Sequence, residues 1–196
     1  MNADRLDADV IRHALSARAA SHTSSILIFD EIDSTNALLL EGRPPAFGDA
    51  VVAIANAQTA GRGRRGRHWI SEPGAGLWFS LGYRFEKVPP DLATLGLVTG
   101  LSAHSCIVPF VRRAGLKWPN DIVVDGRKLG GVLVELRTEP EGSLHAVAGI
   151  GLNLRIPAGL RVIDGLDPVG LDTLSSEPPG RNALAALLIE SLPVSY

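Results

Sequence analysis

A chain of 196 residues and 20.7 kDa, 45% hydrophobic and 20% charged, carries enough apolar side chain for one sizeable core and is not a disordered protein. Its formal net charge of −2 argues against general nucleic-acid binding, and its single cysteine, Cys106, excludes a disulfide framework or a cysteine-based zinc site and reads as a core filler. Residues 1–20 contain no apolar signal-peptide core, and no uncharged apolar run reaches about 18 residues, so no membrane span is expected and the anticipated address is the cytoplasm.

Leu6, Val10, Ile11, Ala14, Leu15 and Ala19 recur at helical spacing, which predicts a short amphipathic helix over Leu6 to Ala20. Ser24 to Ile32 is β-branched and alternating, hence a strand, and Asp33 or Ser34 offers the N-cap of a helix through Leu40. After a proline-bearing loop from Gly42 to Gly48, the uncharged run Ala50 to Ala57 reads as a buried strand that delivers Gln58. There follows Gly61-Arg62-Gly63-Arg64-Arg65-Gly66-Arg67-His68-Trp69. Glycine and arginine at that density neither pack in a core nor hold a helix, so an exposed, mobile loop is expected. Glycine lets backbone N–H groups approach an anion, and arginine offers a planar fork to carboxylate or phosphate. Alone, the stretch reads equally as a solvated basic loop or as an Arg-Gly arm for nucleic acid.

Gly76 to Phe85 alternates Leu77, Phe79, Leu81, Tyr83 and Phe85 with smaller or polar neighbours and predicts a strand. Leu92 to Ala114 predicts a long helix, ended or kinked at Pro109, with Gly96 and Gly100 suited to close packing on a sheet. A meander then runs through Leu116 to Trp118, Asp121 to Val124, a tight turn at Asp125-Gly126, Lys128 to Arg137, a turn at Glu141-Gly142, and Ser143 to Leu154. Ile156 to Gly180 is an irregular connection, and Asn182 to Leu192 a last short helix. The sum is α+β: a mixed, mainly antiparallel sheet flanked by helices, expected on one face.

The five histidines show no metal-ligand spacing, no serine sits on a nucleophile elbow, and the G-x-G-x-x-G formed by Gly61, Gly63 and Gly66 is filled with arginine and opens no apolar helix. What remains is a set of cations, Arg62, Arg64, Arg67, Lys117 and Lys128, with Ser34, Thr35, Gln58, Asn120, Asp121 and Asn153, all at strand ends. Such a set suits a reaction that brings two anions, a carboxylate and a polyphosphate, into contact, with no side-chain nucleophile or general base required.

The ordered segments STN (34–36), Gln58 with GRGRRGRHW (61–69), KWPND (117–121), KLGGVLVE (128–135) and GIGLN (149–153) resemble the catalytic domain of biotin protein ligases, over residues 25–190. The resemblance implies a class II aminoacyl-tRNA synthetase-like fold and a two-step reaction. Biotin's carboxylate attacks the α-phosphate of ATP, giving biotinyl-5′-AMP and pyrophosphate, and a lysine of a biotin carboxyl carrier protein then takes the biotinyl group as an amide. Carried over by position, Ser34, Thr35, Asn36 and Gln58 would hold the biotin head, with Gly61, Arg62, Gly63 and Arg64 folded over it. Arg64 would bridge carboxylate and α-phosphate, Arg67 would reach the phosphates, and Trp69 would shield the adenine. Lys128 would contact the biotin carboxylate and the charge developing at the α-phosphate, and Lys117 the phosphates, so that Arg64, Lys117 and Lys128 form the catalytic set. Asn120, Asp121 and Asn153 would line the nucleotide side, and Mg²⁺ would accompany ATP on ligands that the sequence does not name.

Plainer roles stay open for each: Ser34 as a helix cap, Trp69 as a core anchor, either lysine as a solvated strand-end charge, Asn120-Asp121 as a turn. His68 stands where many relatives have lysine. The expected division is a helical extension over 1–22 and a catalytic domain over 23–196, without the C-terminal barrel of relatives and without a DNA-binding domain; a homodimer is compatible with the resemblance. The alternatives are a biotin or biotinyl-AMP binding protein with little turnover and a lipoate or octanoate ligase of the same fold.

Overall fold

The alternating segments form one seven-stranded sheet: β1 (Thr23–Ile32), β2 (Ala50–Gln58), β3 (Gly76–Phe85), β4 (Gly115–Lys117), β5 (Asp121–Val124), β6 (Arg127–Thr138) and β7 (Leu144–Asn153), in the spatial order β1-β2-β3-β7-β6-β5-β4. The structure is a computed structural model and describes residues 5–160 and 165–192. Only β1 and β2 run parallel; the other pairs are antiparallel. The helices are α1 (Ala8–His13), α2 (Ala17–His22), α3 (Thr35–Glu41), α4 (Leu95–Ile107) and α5 (Arg181–Ser191). Asp125 and Gly126, both with positive φ (49° and 77°), turn the chain between β5 and β6, as the dipeptide predicts.

The strand period of two decides what each face carries. Val52 and Ile54 of β2, Leu77, Phe79 and Leu81 of β3, and Ile150 and Leu152 of β7 share one face and build the main core with Ile11, Ala103, Ile107, Leu184 and Leu188 from the helices. Each fully buried leucine or isoleucine there stabilises the fold by about 1.5–3 kcal/mol. The alternate residues, among them Ala53, Trp78, Ser80, Val147, Gly149 and Gly151, face the other way. Among the helices of the described residues only α3 covers them, through Leu39 against Ala53 and Val147. Helices thus lie on both faces rather than one, and the thinly covered face is left for a cleft.

Two other expectations are corrected. The opening helix is two, α1 and α2, because Asp7 and Ser16 each cap a separate start and the Ser16 backbone and hydroxyl are held by Glu190 of α5. The long helix shrinks to α4, preceded by a 3-10 turn at Leu92–Thr94, since Pro109 has no N–H with which to continue the ladder. A side chain at Gly96 would meet nothing, and one at Gly100 only Leu116 at 3.8 Å, so these glycines do not seat the helix on the sheet. Cys106 is buried in the core, and burial pushes its thiol up from the ordinary value.

At the end of the sheet away from the cleft, β7 buries His145 at 1% exposure, with no partner for either ring nitrogen. Burial lowers its pKa, helped by Arg137 and Arg84 and opposed by Glu139. A histidine with a depressed folded-state pKa contributes stability that is present in full above the unfolded value, about 6.5, and is lost as pH falls toward the folded value. The unfolding free energy should therefore decline below that pH, by at most about 1.4 kcal/mol per pH unit for one proton. In urea titrations from pH 7.5 to 5, His145→Leu should lack this component; an unchanged slope would refute the assignment.

Candidate active site

The glycine-arginine stretch is a closed flap. Trp69 N–H donates to the Gly61 carbonyl at 2.9 Å and Gly63 N–H to the Arg67 carbonyl at 2.7 Å, with a bridge between Arg62 and His68. Its tip is a 3-10 turn at Arg64–Gly66, where Arg65 (φ 58°) and Gly66 (φ 72°) take the left-handed conformation. Residues 64–68 are exposed, as expected of a segment with nothing apolar to bury.

Beneath the flap lies a cleft of about 900 Å³. Its floor contains Gly131, Gly149 and Gly151 on the thinly covered face of β6 and β7. A Cβ on Gly149 would collide with the Asn36 amide, and one on Gly151 would lie 2.6 Å from the Trp69 indole. The indole also makes an edge contact with Trp78, ring centres 6.3 Å apart. Trp69 is thus anchored on the sheet, as its plainer reading expects, and it also lines the cleft.

One end of the cleft is a chain of hydrogen bonds. Gln58 Oε1 accepts from Thr35 N–H (2.8 Å), Thr35 Oγ1 meets Ser80 Oγ (2.7 Å), Ser80 Oγ donates to Asn36 Oδ1 (2.6 Å), and Asn36 Nδ2 donates to Glu135 Oε2 (3.0 Å). The Ser80 proton goes to Asn36, and Thr35 Oγ1, within reach of both Ser80 Oγ and Gln58 Oε1 (3.1 Å), has a single proton to divide between them while keeping lone pairs for a ligand. Gln58 Nε2 donates to Ser71 Oγ at 3.0 Å. Ser34 caps α3 by accepting from Ala37 N–H at 3.3 Å, and it lines the cleft as well.

The other end is cationic. Lys128 Nζ lies 2.6 Å from Asp121 Oδ1 and 5.0 Å from the centre of the Trp69 ring. Asn120 and Asn153 spend their amide N–H groups on the scaffold, to the Val132 carbonyl (2.8 Å) and the Lys128 carbonyl (3.1 Å), leaving their side-chain oxygens as acceptors. Arg62 turns aside to Glu135 (3.4 Å) and Glu41 (3.5 Å). Among the described residues, Arg64, Arg65, Arg67 and Lys117 have no carboxylate partner, and all four line the cleft.

Of the site residues read from the sequence, the fold brings Ser34, Thr35, Asn36, Gln58, Arg62, Gly63, Arg64, Arg67, Trp69, Lys117, Asn120, Asp121, Lys128 and Asn153 to this cleft. Gly61 does not line it. It is buried at the base of the flap, where a Cβ would collide with the Trp69 carbonyl oxygen and meet Ser71 Oγ at 3.0 Å. Sequence reasoning missed Ser80, Trp78 and the 83%-exposed Trp118 at the cleft wall, and Glu135 behind it on Asn36 and Arg62. Ser80 did leave a trace, a polar residue on the strand otherwise marked by Leu77, Phe79 and Leu81.

A cleft with hydrogen-bonding groups at one end and cations at the other, roofed by an arginine flap, has the chemistry to take a small polar ligand beside an anionic one. Comparison with known proteins sharpens this. The Biotin/lipoate A/B protein ligase family matches residues 28–153, and the chain belongs to that family. Its fold is class II aminoacyl-tRNA synthetase-like. A solved biotin protein ligase from Aquifex aeolicus, in complex with biotin and ATP, aligns at TM-score 0.69 and 29% identity, over 86% of this chain and 68% of that one. The bifunctional ligase/repressor BirA of Escherichia coli is 38% identical over 86% of this chain and 52% of its own length. The biotin--[acetyl-CoA-carboxylase] ligase of Mycobacterium tuberculosis is 35% identical over 89% of this chain and 65% of its own. The chain thus spans about half to two thirds of these curated relatives.

Proposed function

We propose that this domain activates biotin with ATP to biotinyl-5′-AMP and passes the biotinyl group to a lysine of a biotin carboxyl carrier protein. The observation that carries this reading is that Arg64, Arg65, Arg67 and Lys117, free of carboxylate partners, line one cleft with Lys128 and with a floor of hydroxyl and amide groups. The polar floor suits the ureido ring, whose donors and acceptors are costly to bury unpaired. It would be wasted on the dithiolane of lipoate, which speaks against the lipoate or octanoate reading. A volume of about 900 Å³ accommodates vitamin and nucleotide side by side.

In the first step a biotin carboxylate oxygen bonds to the α-phosphorus while the bond from that phosphorus to the β-bridging oxygen breaks and pyrophosphate leaves. Arg64 and Lys128 offset the repulsion between carboxylate and α-phosphate, and Arg67 and Lys117 take the charge that builds on the leaving phosphates. Trp69 forms a wall for the adenine, and the side-chain oxygens of Asn120 and Asn153 are acceptors suited to its amino group. In the second step the neutral acceptor amine attacks the acyl carbon, AMP departs with the electrons of the acyl–phosphate bond, and the nitrogen gives up one proton to solvent as the amide forms.

Asp121 is the one carboxylate among the described residues lining the cleft, and it faces Lys128. A magnesium ion arriving on ATP would be carried by phosphate and water, because Asp121 is engaged by Lys128 at 2.6 Å and the described residues hold no group of three or more His, Cys, Asp or Glu side chains placed to bind a metal. It would supply further neutralisation of phosphate charge.

We propose the cytoplasm for this reaction and residues 23–196 for the catalytic domain, with α1 and α2 packed into the same core. No helix among the described residues is long and apolar enough to cross a membrane. Biotin- and magnesium-dependent exchange of pyrophosphate into ATP, followed by streptavidin blotting of a carrier fragment, tests the proposal. Arg64→Ala should reduce exchange about a hundredfold, the scale of losing one preorganised charge contact to the reacting oxygens. Absence of exchange from protein that still binds biotin would leave a biotin-binding protein in place of an adenylating enzyme.

A further inference from the structure

We propose that Glu135 is a positioning residue that latches the flap to the floor of the cleft. Pairing with Val147 sets Glu135 on the cleft face of β6, yet its side chain does not line the cavity. Its two carboxylate oxygens are divided. Oε1 accepts from Arg62 Nη1, at the start of the flap, at 3.4 Å; Oε2 accepts from Asn36 Nδ2, in the floor, at 3.0 Å. Asn36 is 5% exposed, so its amide is fixed, and the Glu135 side chain is itself only 24% exposed.

From Asn36 the chain of hydrogen bonds continues through Ser80, Thr35, Gln58 and Ser71 to the carbonyl of Trp69, at the far end of the flap. Both stems of the flap are therefore ends of one polar chain, and Glu135 contributes its single negative charge. Arg62 has one other partner, Glu41, at 3.5 Å with a side chain 74% exposed, where water screens the pair. Arg64, Arg65 and Arg67 have no carboxylate partner among the described residues, so within them the arginine that meets Glu135 is what holds the flap in charge terms.

A ligand that takes hydrogen bonds from Thr35 or Gln58 alters the same chain that fixes Arg62. Filling the floor and settling the flap become one event.

Glu135→Gln separates the two links. The glutamine oxygen can still accept from Asn36, but its amide nitrogen then presents a donor to a donor at Arg62. The flap carries its own reporter, since trypsin cuts after Arg64, Arg65 and Arg67 only where the backbone opens. In native protein without ligand, cleavage at these three bonds should be about fivefold faster in Glu135→Gln at unchanged melting temperature, and within about twofold of wild type in Glu41→Gln. Arg62→Met should match Glu135→Gln, and the double variant should be no faster than either, because both sever one link. Wild-type cleavage rates in Glu135→Gln, or rates that multiply in the double variant, would overturn the latch.

A second readout rests on the biotin reading. Glu135→Gln should raise KM for biotin about tenfold with kcat within about twofold, the split expected when an interaction is lost equally from ground and transition states; a parallel fall in kcat would overturn the positioning role. If wild type fails to bind biotin, that reading falls, and the cleavage rates still decide the latch.

Discussion

Lys128→Met should slow biotin-dependent pyrophosphate exchange about a thousandfold, equivalent to about 4 kcal/mol of lost transition-state stabilisation, without lowering the melting temperature. The expectation follows from how firmly this ammonium is held. The Lys128 N–H donates to the Asp167 carbonyl at 2.7 Å, its carbonyl accepts from Val169 N–H at 2.9 Å and Asn153 Nδ2 at 3.1 Å, and Nζ sits between Asp121 and the Trp69 ring. A charge already in place costs no reorganisation as the reaction proceeds, which is what makes such groups worth several kcal/mol. Methionine keeps the stem and removes the charge, but it also leaves Asp121 facing a cleft meant for anions. The loss therefore has two parts, and Asp121→Asn added to Lys128→Met should recover about tenfold of it, equivalent to about 1.4 kcal/mol of relieved like-charge repulsion. Full recovery would mean that Lys128 serves only to neutralise Asp121; exchange by Lys128→Met within threefold of wild type would remove it from the chemistry altogether.

What could be read in advance was whatever local physics decides. Gly76 to Phe85 is bounded to the residue because large apolar side chains at every second position fit the two-residue period of a strand, even though both of its faces are buried, and Asp125-Gly126 marks its turn because few residues tolerate positive φ. The arginine flap was visible because its composition forbids other structures. Long-range partners left no such trace. The break between α1 and α2 depends on Glu190, 174 residues beyond Ser16. Asn36 meets Ser80 and Glu135 across separations of 44 and 99 residues. The face on which α3 lies was misjudged because an amphipathic helix states that it covers something, not which side of the sheet it covers. GIGLN drew attention as a sequence likeness, whereas its physical content, a floor with room for an indole, exists only once β7 lies beneath the flap.

That floor yields the second large effect. Gly151→Val should cut exchange by more than a hundredfold and speed trypsin cleavage at Arg64, Arg65 and Arg67, while thermal stability changes little. Gly151 is extended backbone between β3 and β6, so valine is acceptable to the strand itself and even favoured by its β-branching. The obstacle is overhead. An added Cβ would stand 2.6 Å from the Trp69 ring, and even one at neighbouring Gly131 would be 3.0 Å away. Sheet backbone cannot retreat, hydrogen-bonded as it is on both sides, so the indole must rise. Trp69 N–H is bonded to Gly61 and its ring lies beside Lys128, so lifting it opens the base of the flap and moves a wall away from the ammonium. Gly151→Ala should show the same signs to a smaller degree. Gly96→Ala provides the contrast: a side chain there meets nothing within 4 Å, and replacing glycine in a helix should stabilise the fold by about 0.5–1 kcal/mol with exchange untouched. If Gly151→Val kept wild-type exchange and a protected flap, the indole would have another resting place, and its position against Lys128 would not matter to the reaction.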